Sequence, residues 1–447
     1  MGSVVAAPLS AAATFLGGCC GTFAAGCCYR LAGSGQVGSA QAVRSVIVLL
    51  QAFTAALATV ASATPTLWLP WACGRLRAVG AGDLGICGCS GDEACWADQL
   101  VYRAEAAGVA VFLALLLMAA GGCAEGASRS AAVAKFMAVP LIGFVLLFVG
   151  NDVLSTFGAF ATVASAVFLA VQAVMLIDFA YAWNEDWYAK ALEARRGARA
   201  SSGFQGWQMG ILVASALLLL GSIAGTICLL IAVPDARARS VTAVAWVLAA
   251  VLLVVSITEH VKHGALLTSC VVMAYNAWLT WEAMSLLPGG RGPELPAWAS
   301  LSVCAVSLLL FSRRAGGADA AADQDGPDPA AGACGEAGSS ARAGQLFLLL
   351  LSGNKQCRAM SDIREFMFMS LFVPRSSSSS ALGAADARDF RLQCAVHAAA
   401  GVYLTAALAP RAGDLAHGVH TAVVFGSLAL YGWSLMAPYV LRGRSFG

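Results

Sequence analysis

The sequence is poor in charged residues, which make up only 12% of its 447 positions. Soluble domains carry about 25% charged and about 45–50% apolar residues, whereas this chain is 59% apolar and has a mean hydropathy of +0.75. These values exclude an ordinary soluble globular protein. The 27 basic residues nearly balance the 25 acidic ones, so the net charge of +2 argues against nucleic acid as a partner. A polytopic membrane protein remains.

Motifs for energy-driven or metal-dependent chemistry are also missing from the sequence. No Gly-x4-Gly-Lys-Ser/Thr phosphate-binding loop is present. The pairs His260/His263 and His417/His420 offer two ligands each, whereas zinc normally takes three or four. We therefore expect no enzyme activity, no cofactor and no metal site.

Long apolar stretches predict an all-α fold, a polytopic bundle of about ten membrane-spanning helices. A hydrocarbon core about 30 Å thick requires about 20 apolar helical residues for each crossing. The ten candidate stretches are 45–69, 99–120, 132–150, 154–181, 207–233, 240–258, 264–286, 296–312, 391–409 and 415–441. An eleventh stretch, 4–28, is more weakly apolar, and whether it spans the membrane stays open.

The distribution of basic residues predicts the orientation, because Lys and Arg are enriched in cytosolic connections. With a cytosolic N-terminus, 20 of the 27 basic residues lie on the cytosolic side, and 11 against 7 remain when 313–391 is omitted. Both termini are therefore predicted to be cytosolic. The predicted organisation is a Cys/Gly-rich segment 1–44, eight spans within 45–312, a cytosolic low-complexity loop 313–390, and two further spans with a short tail in 391–447.

Cysteines support this orientation. Four of them crowd the loop 71–98, which is predicted to lie outside: Cys73, Cys87, Cys89 and Cys95. An even number on an oxidising side predicts two disulfides, with three possible pairings. A zinc site is the weaker alternative, because Cys-x-Cys with single flanking cysteines fits zinc spacings poorly. Four more are candidates for S-acylation or apolar packing at the cytosolic boundary: Cys19, Cys20, Cys27 and Cys28.

Ionisable groups within spans are candidate functional residues, because inserting one costs about 2.5–3.5 kcal/mol. Asp178, Glu105 and Glu282 qualify, and Asn276 and Gln172 are polar companions. The spacings Gly206-x3-Gly210 and Gly221-x3-Gly225 allow a close approach between helices.

The segment that follows Asp178 has the pattern of a membrane boundary. Asp178 and Glu185 are two helical turns apart and share one face of a helix. Trp183 and Trp187 are four residues apart, and indole rings prefer the depth of the headgroups. This face fits a polar lipid headgroup, and a helix anchor with an interhelical hydrogen bond is an equally weighted alternative.

Several motifs in the sequence resemble the serine incorporator (Serinc, or TMS membrane protein) family. Asp178-Phe179-Ala180 and Trp183-Asn184-Glu185-x-Trp187 match the core of the family's VDFAHSWNESW, with Asp186 in place of its serine. Val101-Tyr102-Arg103, the run from Tyr275 to Trp281 and the run from Trp433 to Pro438 are further matches. Glu105 and Glu282 depart from the family, which usually has small neutral residues there. The loop 313–390 bears little resemblance to it.

The resemblance implies a protein that handles phosphatidylserine and sphingolipids in an endomembrane or the plasma membrane, and passive lipid scrambling is the favoured activity. Its candidate headgroup or substrate residues are Asp178, Trp183, Asn184, Glu185, Trp187, Glu105, Asn276, Trp281 and Glu282. One alternative is a secondary transporter of a small polar solute such as serine, with Glu105 or Glu282 as a proton or cation site. Another is a non-transporting scaffold whose loop 313–390 docks a cytosolic partner.

Overall fold

The computed structural model describes residues 40–78, 85–89, 92–123, 132–196, 202–258, 266–288, 292–293, 296–322, 381–410 and 413–440. These residues contain no strand and form eleven α-helices, which confirms the all-α prediction. The helices are α1 (Ala40–Ala63), α2 (Pro65–Ala78), α3 (Glu93–Met118), α4 (Ala132–Leu146), α5 (Asn151–Arg196), α6 (Ser202–Ala232), α7 (Ala236–Ile257), α8 (Leu266–Ser285), α9 (Ala297–Ala322), α10 (Ala381–Leu408) and α11 (Asp414–Val440). The stretch 4–28 with its four cysteines, and most of the loop 313–390, lie outside the described residues.

Helix length and hydropathy support several membrane crossings. Six described helices are long and apolar enough to span a bilayer, and the six ranges are Val43–Ala63, Glu93–Gly121, Asn151–Leu192, Trp207–Ala232, Ala236–Ile257 and Asp414–Ala437. Ala132–Leu146 and Ala297–Ser312 are apolar but shorter. The predicted stretches 264–286 and 391–409 fall on α8 and α10, which bury polar side chains and are not among the six. The total of ten spans stays a prediction.

The first predicted span is shorter than expected. The sequence predicts a helix over 45–69, but α1 ends at Ala63 and α2 begins at Pro65. The ring of a proline disfavours the helical conformation of the residue before it. Thr64 is therefore the natural break between the two helices.

The chain divides into two compact units. The first unit contains α1 to α4, the part of α5 up to Phe168, α9 up to Gly316, and α10. The second unit contains the rest of α5, α6 to α8, and α11.

The core of the first unit is built where α3 contacts α1 and α10. Buried apolar side chains from all three helices fill it, among them Ile47, Leu50, Phe112 and Cys394. The hydroxyl of Tyr102 donates to the backbone oxygen of Ala409 at 3.4 Å. These contacts hold three helices together that are far apart in the sequence.

The charge count assigns Arg103 to the seven basic residues on the outer side, but Arg103 is not a loop charge. It is buried on α3, and all of its donor groups are used. Nε donates to the Leu146 oxygen at 3.0 Å, Nη1 to the Gln99 backbone and side-chain oxygens at 3.0 and 2.7 Å, and Nη2 to the Val149 oxygen and Asn151 Oδ1 at 3.0 and 2.9 Å. Its guanidinium therefore fixes the turn between α4 and α5, where helix ends leave carbonyls without partners.

The predicted disulfides are present, and they join α2 and α3 to the short turn Gly85–Cys89 between them. Cys73 is bonded to Cys87, and Cys89 is bonded to Cys95, which selects one of the three possible pairings. Gly85 has a φ of +64°, a conformation that a side chain would strain. This turn lets the backbone N–H of Ile86 reach the Leu147 oxygen at 3.4 Å, so the loop is held against the rest of the first unit.

The second unit is built around α8, which contacts α6, α7 and α11. Its two outer helices, α6 and α7, are mostly exposed: only 17% and 22% of their most apolar windows are buried, against 67% in α5. Exposed apolar side chains such as Leu217, Ile231, Val247 and Val254 cover these helices. In a membrane protein such faces contact lipid.

The glycine pair Gly221 and Gly225 does not mediate the close helix approach that its spacing allows. An added Cβ at either position would meet nothing within 4 Å among the described residues. The two glycines would allow a second helix to approach closely, but no described helix lies against the face of α6 that carries them.

Candidate functional site

An aromatic ladder extends along the second half of α5 and reaches the start of α6. The ring of Phe179 stacks on Trp183 with centroids 5.7 Å apart, and Trp183 meets Trp187 edge-on at 5.3 Å. Trp187 then meets Trp207 of α6 at 5.9 Å. The spacing of four residues on α5 places these rings on one face, so the ladder follows from the sequence pattern.

A charged pair closes the ladder at its far end. Lys190 Nζ lies 2.6 Å from Asp186 Oδ2 and 5.3 Å from the centroid of the Trp207 ring. Asp186 therefore serves as the partner of a lysine one turn away. Indole rings with a lysine beside them are typical of the membrane–water boundary.

The two carboxylates predicted to face a headgroup lie on the same helix as the ladder. Asp178 is buried, while Glu185 and its neighbour Asn184 are half-buried. Asp178 and Glu185 both have interacting neighbours, so neither is an isolated charge in the helix. Their role at a headgroup stays a prediction.

A line of hydroxyl groups lies inside the second unit. Tyr181 of α5 and Ser434 of α11 share a hydrogen bond of 3.3 Å between their hydroxyl groups. Ser434 Oγ also donates to the backbone oxygen of Tyr431 at 2.7 Å. The Tyr431 hydroxyl and Ser269 Oγ are 2.6 Å apart, as are Ser269 Oγ and Ser256 Oγ. All five side chains are buried, so four helices meet at polar contacts in an otherwise apolar interior.

A separate small recess lies between α6, α7 and α8. It is partly open to the outside, encloses about 10 Å³, and is lined by Thr226, Thr242, Trp246, Ala249, Met273, Asn276, Ala277 and Thr280. The three threonine hydroxyls donate to backbone oxygens four residues earlier, at 2.7 to 3.1 Å. Each still has an oxygen that can accept a hydrogen bond. Trp246 Nε1 is buried and has no acceptor among the described residues.

Asn276 is the one predicted site residue that lines the recess. It is buried, and its Oδ1 accepts a hydrogen bond from Ser427 Oγ of α11 at 3.2 Å. Glu282 is buried with interacting neighbours, and Trp281 packs in a separate apolar cluster. Neither belongs to the lining, although both come from the same motif on α8.

Tyr275, in the same motif, ties α8 to α5. Its hydroxyl donates to the Leu169 oxygen at 2.9 Å and to Gln172 Oε1 at 3.2 Å, and its ring stacks on Trp278 at 5.5 Å. This part of the motif is structural.

Glu105 lies in the first unit, whereas the other candidates lie in the second. Its side chain is completely buried on α3 near Gln51 of α1 and Gly401 of α10. Glu105 is not among the residues that line the recess.

Sequence comparisons give a consistent set of similar proteins. A family profile described as "Serine incorporator (Serinc)" matches residues 17–297. The chain is 27% identical over 208 residues to a probable serine incorporator from Nematostella vectensis, covering 42% of this chain and 43% of that protein. It is 31% identical over 134 residues to serine incorporator 3 from Bos taurus, covering 28% and 27%, and 28% identical over 148 residues to serine incorporator 2 from Homo sapiens, covering 31% and 30%. The chain thus matches less than half the length of these relatives.

Proposed function

Since this chain belongs to the serine incorporator family, we propose that it is a multi-pass membrane protein through which phospholipids cross between leaflets without an energy source. Phosphatidylserine and sphingolipids are the lipids that we propose it serves. The observation that carries the proposal is the polar recess of the second unit, which lies directly behind the lipid-exposed helices α6 and α7.

The cost of lipid crossing comes from the headgroup. A polar group buried without a hydrogen bond costs about 1–3 kcal/mol, judged from mutational data. The recess offers such a group one donor, Trp246 Nε1–H, and acceptors on Thr226, Thr242 and Thr280. A phosphate accepts from the indole, while the ammonium or hydroxyl of a headgroup donates to a threonine oxygen.

The size of the recess favours passage over storage. It encloses only about 10 Å³, which is about the space that a single water molecule needs. A headgroup inserts only partly, while the acyl chains stay in the bilayer against exposed apolar residues such as Leu217 and Val247. Weak, partial contact suits a lipid that must leave as readily as it enters.

The aromatic ladder serves as the entrance in this proposal. Trp183, Trp187 and Trp207 lie at the predicted cytosolic boundary, and Tyr181, where the hydroxyl line to Ser256 begins, lies on the same helix as Trp183 and Trp187. Asp178 and Glu185 complete the headgroup-facing set. The proposal includes no bond-making step.

The test is lipid exchange in proteoliposomes that contain fluorescent phosphatidylserine or phosphatidylcholine, with a membrane-impermeant quencher added outside. Without exchange, about half of the label stays protected in the inner leaflet. With the protein and no ATP or ion gradient, we expect nearly complete quenching. Protection of the inner half by well-folded protein would refute the proposal.

A matched pair of variants tests the recess itself. Thr242→Val with Thr280→Val removes two hydroxyls from the lining. Losing two hydrogen bonds of about 0.5–1.5 kcal/mol each should slow exchange about 5- to 150-fold. In the control, Thr64→Val with Thr156→Val removes two exposed hydroxyls that also donate to the backbone four residues earlier. An equal effect of both pairs would exclude the recess as the path.

The carboxylates require a separate variant. Asp178→Asn with Glu185→Gln keeps the shape of both side chains and removes their charge. We expect slower exchange of phosphatidylserine, whose ammonium they would attract. Unchanged exchange by folded protein would remove Asp178 and Glu185 from the headgroup path and favour the helix-anchor alternative.

A further inference from the structure

The first unit buries several polar side chains that are not part of the lipid path proposed above. Glu105 is completely buried, and Gln51, Gln393 and His397 are at most 3% exposed. Both carboxylate oxygens of Glu105, both amide atoms of Gln51, Gln393 Nε2 and His397 Nε2 lack a hydrogen-bond partner among the described residues. Buried polar groups are nearly always paired, so this concentration in one three-helix core points to a ligand.

Gly401 brings the two most polar of these groups together. A Cβ at this position would lie 3.6 Å from Glu105 Oε2 and 3.8 Å from Gln51 Nε2. The ends of both side chains therefore converge on the face of α10 that has no side chain. A larger residue at position 401 would separate them.

The same face of α10 carries the other members of the cluster. Gln393, His397 and Gly401 are spaced by four residues, so they follow one another along a single face. His397 Nδ1 is 2.9 Å from the Gln393 backbone oxygen, and the ring lies 5.5 Å from that of Phe112. These contacts hold His397 in place while its Nε2 stays without a partner among the described side chains.

The charge of Glu105 is not balanced by a basic side chain in the described part of the first unit. Arg103, two residues away, uses its donors on the turn between α4 and α5. Arg44 lies 3.7 Å from Asp389, and neither carboxylate oxygen of Glu105 has a partner among the described side chains. A carboxylate buried without a counter-charge is strongly destabilising.

We propose that Glu105 and Gln51, which converge at Gly401, form a binding site for one monovalent cation of the size of Na⁺. One carboxylate and one positive charge give a neutral complex, which a membrane interior tolerates, whereas a divalent ion would leave an excess charge. Hard cations prefer carboxylate and amide oxygens, and Glu105 and Gln51 supply three such oxygens. A proton on Glu105 is the competing way to neutralise its charge, and the ²²Na⁺ measurement below distinguishes the two.

Binding of ²²Na⁺ to the purified full chain in detergent is the first test. We expect saturable binding of about one ion per chain, which unlabelled Na⁺ displaces. A folded wild-type protein that binds no ²²Na⁺ would overturn the proposal, and this measurement does not depend on any variant.

Thermal unfolding is the second test, in NaCl against N-methyl-D-glucamine chloride at equal ionic strength. At about five times the dissociation constant, Na⁺ should raise the unfolding temperature of the wild type by about 2–4 °C. Glu105→Gln should lose this rise and the ²²Na⁺ binding. Glu93→Gln makes the same change at an exposed position on the same helix, and it should keep both.

Two outcomes would overturn the proposal in this second test. One is no difference between the two salts for the wild type, and the other is the same rise in Glu105→Gln as in Glu93→Gln. If Glu105→Gln does not fold, Gln51→Met replaces an amide by an apolar side chain of similar length. It should weaken ²²Na⁺ binding at least several-fold, and unchanged binding would overturn the proposal.

Discussion

The contact between Gly158 of α5 and Tyr102 of α3 gives a prediction that tests the packing of the first unit. A Cβ at position 158 would lie 2.6 Å from Tyr102 Cζ, 2.7 Å from Cε1 and 3.0 Å from the hydroxyl oxygen. Non-bonded carbon atoms normally approach to about 3.5–4.0 Å. Gly158→Ala therefore requires a local shift of about 1 Å.

The ring of Tyr102 cannot swing away to relieve the clash. It is completely buried among Val101, Leu154 and Ala409, and its hydroxyl donates to the Ala409 oxygen. The shift must come from the helices, and overpacking of this kind costs about 1–3 kcal/mol. Alanine recovers about 0.5–1 kcal/mol of helix propensity, so we expect a net loss of about 1–2 kcal/mol.

Gly221→Ala is the matched control, because it makes the same substitution in a helix with open space around the new Cβ. It should leave the free energy of unfolding unchanged or raise it by up to about 1 kcal/mol. Thermal unfolding of both variants in the same detergent measures the difference. If Gly158→Ala is as stable as Gly221→Ala, the close packing of α5 on Tyr102 is wrong.

Three further changes test other parts of the structure. Replacing Cys73 and Cys87 by serine should lower the free energy of unfolding by about 3 kcal/mol, because the bridge closes a loop of 14 residues; unfolding under non-reducing conditions measures it. Arg103→Lys should lower the free energy of unfolding by about 3 kcal/mol or more, because an ammonium cannot make the forked set of hydrogen bonds that the charged guanidinium donates. Unfolding by denaturant measures this loss, and an unchanged free energy would contradict the role of Arg103. Trp187→Ala removes two ring contacts worth about 0.5–1.5 kcal/mol each. Its unfolding temperature should therefore fall, and an unchanged value would contradict the role of the ladder.

Composition was sufficient to predict the fold class, because a chain with 12% charged and 59% apolar residues is too apolar for a soluble domain and fits a bundle of membrane helices. Hydropathy predicted less about the ends of helices. The apolar stretch of α5 ends near residue 181, but the helix continues to Arg196. Residues 182–196 contain no glycine or proline and many good helix formers. The sequence therefore contained the signal, although hydropathy alone does not detect it.

The disulfides and Arg103 show two different limits of sequence reasoning. The number of cysteines in the loop 71–98 predicted two bridges, but the pairing depends on a turn at Gly85 that spacing does not reveal. Arg103 was counted by the sign of its charge, whereas its position is determined by carbonyls at the end of α4 and in the turn that follows it. A rule that counts charges treats a structural arginine and a loop arginine alike.

The candidate sites were predictable only where local spacing along one helix brings their residues together. Trp183 and Trp187 touch because four residues separate them on one helix, so local spacing was sufficient. The recess at Asn276 requires three helices, and the group around Glu105 joins Gln51 to His397 across most of the chain. Glu105 was predicted as a candidate because it is an ionisable residue in an apolar span. The polar groups near it are neutral amides and an imidazole, and a search for charged residues does not find them. Buried polar residues at helical spacing, such as Gln393 and His397 next to Gly401, are the signal that would have identified the group.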